Sequence, residues 1–279
     1  MLMNFWIWLL SVLETEMETP HAYGWYHWLW IVLISVFTVA MCVKLRDCSD
    51  KTVRRLSLII FITLIIADLY RQIVFDMVGY DAEAGKFIVS YGWYAFPFQL
   101  CSSPHYILPF IIWMKDGKVR DACIGFMCFF SLLGGLSVFV YPESCFTYCL
   151  GVNIQTMLHH GMQIFLGVFY AVHERRRFGL GLFKLSVPVF IIMLSIAMVM
   201  NIIMYNVMVT YNIPGEFNMF YVSPYYECTL PLVGWIQPLV PYPVFLFLYI
   251  LTIISGAFVI YSIMQGALIF AKKRASKRA

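Results

Sequence analysis

Apolar residues fall in long blocks along this chain rather than in alternation, and polar residues collect between the blocks. Seven blocks, residues 25–44, 56–75, 95–114, 121–141, 152–172, 183–206 and 243–270, approach the ~20 residues an α-helix needs to cross roughly 30 Å of hydrocarbon. The pattern predicts an all-α, polytopic transmembrane helix bundle of seven spans, forming a single membrane domain over residues 1–279. A membrane β-barrel would instead show alternating runs of about ten residues. The opening "MLMNFWIWLLSVLE" is apolar but too short to span, and it lacks the basic start and small-residue cleavage site of a signal peptide. With Trp6 and Trp8 it reads as a helix lying in the membrane interface, within an interfacial segment 1–20.

The connection 207–242, "VMVTYNIPGEFNMFYVSPYYECTLPLVGWIQPLVPY", is aromatic and punctuated by Pro-Gly and Ser-Pro turns. It reads as an outer lid or a re-entrant loop, tolerated at depth only where protein buries it.

Composition agrees with this class. The chain is 62% hydrophobic and 12% charged, about half the charged share of a soluble domain. Of its 19 basic residues, all but Arg71 and Lys86 lie in the connections 44–55, 115–120 and 175–184 or in the tail 272–278. The positive-inside rule then predicts an amino terminus outside and a carboxyl terminus inside. The net charge of +4 reflects topology and contact with anionic lipid, not nucleic-acid binding. The expected location is the cell membrane, as a multi-pass protein. Of eight cysteines, Cys145, Cys149 and Cys228 fall in outer connections, where an oxidising compartment would let them pair. Cys42, Cys123 and Cys128 sit in or at spans and read as small buried hydrophobes.

Orientation gives each polar residue within a span a depth. Cys101 lies about 9 Å in from Ala95, and Gln155, His159, His160 and Gln163 lie about 6–18 Å in from Gly151. Asp68, Arg71 and Gln72 reach the same outer half, as do Asn201, Tyr205 and Asn206. Ionisable groups at such depth must face the bundle interior and find partners. The pattern therefore predicts a polar cavity opening outward. Asp68 and Arg71, three residues apart on one helical face, are expected to form an ion pair.

The block 95–114, "AFPFQLCSSPHYILPFIIWM", carries the candidate chemistry. Cys101 and His160 are candidate nucleophile and base, since a thiol attacks only as thiolate and an imidazole can take its proton. His105, one turn from Cys101, competes as base, and Ser102 and Ser103 compete as nucleophiles. The plainer alternative is a packing thiol beside a satisfied histidine. Gln99, Ser102 or Asn206 would donate to an oxyanion, and Asp68–Arg71 would brace the site or hold a lipid phosphate. His159 shares a helical face with Gln155, whereas His160 points about 100° away. A zinc site built from His105, His159 and His160 with Cys101 or Asp68 has no supporting spacing, so no metal and no cofactor is expected. A microbial-type retinal protein would need a lysine in the last span, and 243–270 has none.

"PFQLCS" in the third block, "LHHGMQIFLGVFY" in the fifth and "NIIMYNVMVTYNIPGEFNMFYVSPYY" before the last together resemble the YwaF-like integral membrane proteins. Relatives of that family in animals include a transmembrane phospholipid acyltransferase. The resemblance covers the order of spans over most of residues 25–270. It implies an acyl-transfer pair at Cys101 and His160, the latter followed by Gly161, similar to the Thr/His pair of the androgen-induced lipid hydrolases. Gln99 departs from the family pattern, which usually has histidine there, and His105 is the imidazole one turn beyond Cys101.

The reading is therefore an acyltransferase or lipase-like enzyme acting on membrane phospholipids. Two alternatives use the same chain without covalent chemistry: a small-molecule transporter or binding protein, and a non-catalytic subunit of a membrane complex. A second copy or another membrane subunit is the expected class of protein partner.

Overall fold

The computed structural model of the chain describes residues 2–142 and 145–276, with Leu2 and Ala275 described for their backbone alone. Lys277 and Arg278 of the expected basic tail lie outside the described residues. Among the described residues the fold is nearly all α. A short helix α1 (Leu2–Leu13) precedes α2 (Trp25–Leu45) and α3 (Asp50–Val74). A two-stranded antiparallel hairpin, β1 (Val78–Asp81) and β2 (Lys86–Val89), follows. Then come α4 (Pro104–Trp113), α5 (Lys118–Phe126), α6 (Leu132–Val140), α7 (Leu150–His173), α8 (Leu180–Thr210), the short α9 (Val233–Ile236) and α10 (Tyr242–Ser276).

Five of these elements are long and apolar enough to cross a membrane: α2, α3, the run Lys118–Val140, α8 and α10. The run Lys118–Val140 joins α5 to α6 through a π-helical stretch, Met127–Ser131, and is the most deeply buried of the five. Helix α7 is also long, but its polar side chains depress its hydropathy. Most of them are buried.

The segment expected as a continuous third span is broken, which corrects that expectation. A 3-10 turn at Trp93–Ala95 gives way to extended backbone, and a second turn at Leu100–Ser102 leads into α4, which has ten residues. Prolines account for the break. Pro97 disfavours helix at Phe96, which is extended at φ −52°, ψ 129°. Pro104 needs no amide partner at the first position of α4.

Charges mark one end of the bundle. Arg120, almost fully buried, donates to Asp50 and Asp116 at 2.6 Å and to the Ile111 carbonyl at 3.0 Å. Arg54 reaches Asp116 at 3.1 Å and the Met114 carbonyl at 2.6 Å, and Arg177 reaches Asp121 at 2.6 Å. Arg175 pairs with Asp47. The opposite end carries the hairpin, the 211–241 connection and the amino-terminal segment. There Met17 donates to the Tyr148 carbonyl, Leu150 donates to the Thr15 carbonyl, and Tyr70 Oη donates to the Leu13 carbonyl at 2.6 Å. Helix α1 is thus tied beside α3 and α7, with Trp6 and Trp8 exposed.

Small residues let the central helices approach closely. A Cβ at Gly135 of α6 would lie 2.9 Å from the His160 carbonyl, and one at Gly167 of α7 would lie 2.9 Å from the Met127 carbonyl.

Candidate functional site

The break before α4 places a short non-helical turn, residues 96–103, inside the bundle at the loop end. Backbone freed from a helix must find other partners, because an unpaired buried group costs about 1–3 kcal/mol. Two side chains of α7 supply them. His159 Nε2 lies 2.8 Å from the Cys101 carbonyl oxygen, and Gln163 Nε2 donates to the same oxygen at 2.6 Å. Gln72 of α3 donates to the Ala95 carbonyl at 2.7 Å and accepts from the Tyr91 hydroxyl.

These bonds also fix the histidine tautomers, because a carbonyl only accepts. His159 must carry its proton on Nε2, which leaves Nδ1 basic. His160 Nδ1 lies 2.7 Å from the Thr156 carbonyl, so its proton sits there and Nε2 is basic. Both basic nitrogens are buried and have no partner among the described residues. The same holds for both ring nitrogens of His105, for Ser103 Oγ and for Gln163 Oε1. The His105 and His159 rings lie edge to face, 5.2 Å apart. Buried polar atoms are nearly always paired in native proteins. A cluster of orphans on one broken turn and one facing helix therefore marks a place for a polar ligand or water.

The expected residues meet this cluster unevenly. Cys101 and the buried Ser102 and Ser103 lie on the turn, His159 contacts it, and the rings of His105 and His160 lie 5.2 and 5.4 Å from that of His159. No hydrogen bond joins the Cys101 thiol to an imidazole among the described residues. It is His159, not His160, that contacts the Cys101 backbone.

The expected Asp68–Arg71 pair is not formed. Arg71 Nε approaches Asp76 Oδ2 at 3.3 Å instead, because Asp76 lies just past the end of α3 with its carboxylate buried. Asp68 is half-buried, within electrostatic reach of His105, Arg71 and Asp76.

Asn206 is exposed and donates to the Ile202 carbonyl of its own helix, so it does not line the site. Gln99 is tied to the 211–241 connection at both ends of its amide. Its Nε2 donates to the Asn218 carbonyl at 2.9 Å, and its Oε1 accepts from the Phe220 amide at 2.6 Å.

The same connection is held by two further amides that the sequence did not single out for this role. Asn201 of α8 donates to the Met219 carbonyl at 3.0 Å and accepts from the Met219 amide at 2.7 Å. Asn218 bonds Glu227 and Ser223 within the loop. Between these clips Phe220 and Tyr221 adopt left-handed backbone, each at φ 56°, a strain of about 1–3 kcal/mol per residue that the surrounding bonds must offset. Phe217, Met219, Phe220 and Val222 are buried. The connection thus forms a roof on the turn, clipped to Gln99 and to Asn201 of α8. Cys149 and Cys228 form no disulfide and are buried thiols. Among the described residues no group of three histidine, cysteine or acidic side chains is placed to hold a metal ion.

A bundle of long apolar helices around one broken, polar segment defines a multi-pass membrane protein with an internal polar site. The chain belongs to the TMEM164 family, whose model matches residues 22–261. The match takes in the broken segment, α7 and the roof. No curated protein and no solved structure matches the chain.

Proposed function

We propose that this TMEM164-family protein is an acyl-transfer enzyme acting on phospholipid esters, with Cys101 as nucleophile and His160 as base. The observation that carries the reading is the pair of orphaned basic nitrogens on α7, each with its tautomer fixed, beside a turn that holds a thiol. The resemblance to the YwaF-like proteins supports the same pair. His160 Nε2 would take the thiol proton, and the thiolate would attack the ester carbonyl carbon. Collapse of the tetrahedral species would expel the lysolipid alkoxide, which takes the proton back from the imidazolium, leaving an acyl thioester on Cys101. In the second half His160 would deprotonate an acceptor hydroxyl, whose oxygen attacks the thioester and releases the thiolate. Ser103 Oγ, buried and with no partner among the described residues, joins Gln99 as a candidate oxyanion donor. His159 and Gln163 act as positioning residues through the Cys101 carbonyl.

We also infer seven crossings. At 24 residues α7 is about 36 Å long, and burial of its polar face by protein suits a crossing helix. The broken segment would cross as a half-helix roofed by the 211–241 connection. The gathering of basic residues at one end supports that end as the inner one, with the cell membrane as the proposed location.

The test is transfer of an isotope-labelled acyl chain from phospholipid to lysophospholipid in nanodiscs. Wild type is expected to transfer, while Cys101→Ala and His160→Gln fall by about two orders of magnitude or more, the range typical of a lost acid–base group. Full activity in Cys101→Ala would exclude the thioester.

A further inference from the structure

A groove of about 310 Å³ runs between α3 and α7 at the loop end, flanked by the exposed Ile66 and Ile154. Ala67 and Tyr70 form one wall, and Gly151, Ile154, Gln155 and Leu158 the other. Gly151 makes it possible, because a Cβ there would lie 1.9 Å from the Tyr70 hydroxyl oxygen. Over the seven residues from Gly151 to Leu158 the groove runs roughly 10 Å along the helix axis.

One wall residue does not belong in hydrocarbon. Gln155 is 5% exposed, yet its carboxamide accepts only a long bond from Thr156 Oγ1 at 3.4 Å, and its NH2 has no partner among the described residues. Within a bilayer no water is at hand to satisfy it. Gln155 lies five residues into α7, about 8 Å from its start. With α7 about 36 Å long and the hydrocarbon about 30 Å thick, a centred α7 would put Gln155 about 5 Å below the edge of the hydrocarbon, next to the ester region of the lipid. A lipid ester carbonyl is the acceptor available at that depth. One turn further along α7 from Gln155 is His159, which carries one of the orphaned nitrogens.

We propose that this groove seats an acyl chain of a membrane glycerolipid, with its ester carbonyl hydrogen-bonded to the Gln155 amide. The proposal deepens the acyl-transfer reading and rests on it only for the identity of the bound chain as substrate. In that role the groove is the lateral port by which the ester reaches Cys101 without leaving the membrane.

The test uses full-length Cys101→Ala protein in phosphatidylcholine nanodiscs doped with a phospholipid carrying a diazirine high in one acyl chain. After irradiation, adducts are located by mass spectrometry. Adducts are expected on residues 63–70 and 151–158 at about tenfold the level on the lipid-facing stretch 258–263 of α10, a preference equivalent to roughly 1.4 kcal/mol. Ile154→Trp and, separately, Ala67→Trp should remove the excess, and Gln155→Leu should reduce it, with unchanged melting temperatures showing that the protein is folded. Equal labelling of groove and α10, or labelling that none of the three folded variants alters, would overturn the proposal. Groove labelling alongside a wild-type protein that transfers no acyl chain removes the Cys101 reading and leaves the groove. Transfer without groove labelling does the reverse.

Discussion

His159 donates through Nε2 to the carbonyl oxygen of Cys101 across 2.8 Å, so a helix side chain holds the backbone of the residue that carries the thiol. Gln163 shares that oxygen. Substituting His159→Phe leaves one of two donors and introduces an apolar ring among orphaned polar atoms. The expected cost is about 1–3 kcal/mol of stability. Alkylation of Cys101 should change in rate by more than alkylation of Cys48, which sits half-buried at the opposite end. Equal changes at both thiols would mean that His159 only packs.

The roof should depend on its amide clips. Gln99→Ala removes a donor and an acceptor from residues 218–220, and Asn201→Ala does the same at Met219. Each variant is expected to lose about 1–3 kcal/mol and to raise hydrogen exchange at Met219 and Phe220 well above that at the buried turns of α7. Gln99→His keeps one donor and one acceptor in a neutral ring, but its two nitrogens diverge more widely than the two ends of a carboxamide. It should fall between wild type and Gln99→Ala. Exchange unaltered in all three would show that the loop is held by its apolar side chains instead.

Burial raises the Asp76 carboxyl above its ordinary range, opposed by the Arg71 guanidinium and the Tyr94 hydroxyl. A carboxyl raised on folding binds its proton more tightly in the folded state. The stability linked to it is full below about pH 3.9 and declines as pH rises through the folded value. Asp76→Asn keeps the neutral form throughout. Its melting temperature should therefore gain on wild type between about pH 3 and pH 7, the opposite of what a strong Arg71–Asp76 ion pair would give. A deficit that widens with pH would contradict this sign.

Gly135→Ala should disturb the site from behind. Its Cβ would meet the His160 carbonyl at 2.9 Å and the Gln163 Cβ at 3.0 Å, so α6 must move away from α7. A loss of about 1–3 kcal/mol is expected, with slower Cys101 labelling. Gly181→Ala, where nothing lies within 4 Å, is the control and should change neither.

Much of the fold was legible in hydrophobic blocks, because four of the five long apolar helices bury little of their surface inside the bundle, so their sequences are almost purely apolar. The broken third span was half legible. Pro97 and Pro104 announced a break, yet a continuous apolar count over 95–114 hid how short α4 would be. The hairpin went unread, although Asp81 and Gly85 bracket its turn: Asp81 accepts from the Glu83 and Ala84 amides, and Gly85 sits at φ +62°. Depth along the helices put Cys101 at the level of His159 and Gln163, which both reach its carbonyl oxygen. Depth says nothing about rotation at a helix end, which is why Asn206 was placed inward and Asn201 was not given its clip. Arg71 chose a partner beyond its own helix because the chain turns back at Phe75, and helical spacing carries no information about such a turn.

The most direct measurement is a rapid acid quench of the protein mixed with phospholipid in the absence of an acceptor, followed by peptide mass spectrometry. A hydroxylamine-labile acyl adduct on Cys101 is predicted to accumulate, to vanish when lysophospholipid is added, and to be lost in His160→Gln. Acyl transfer that proceeds with no adduct on Cys101, or unabated in Cys101→Ala, would contradict the account.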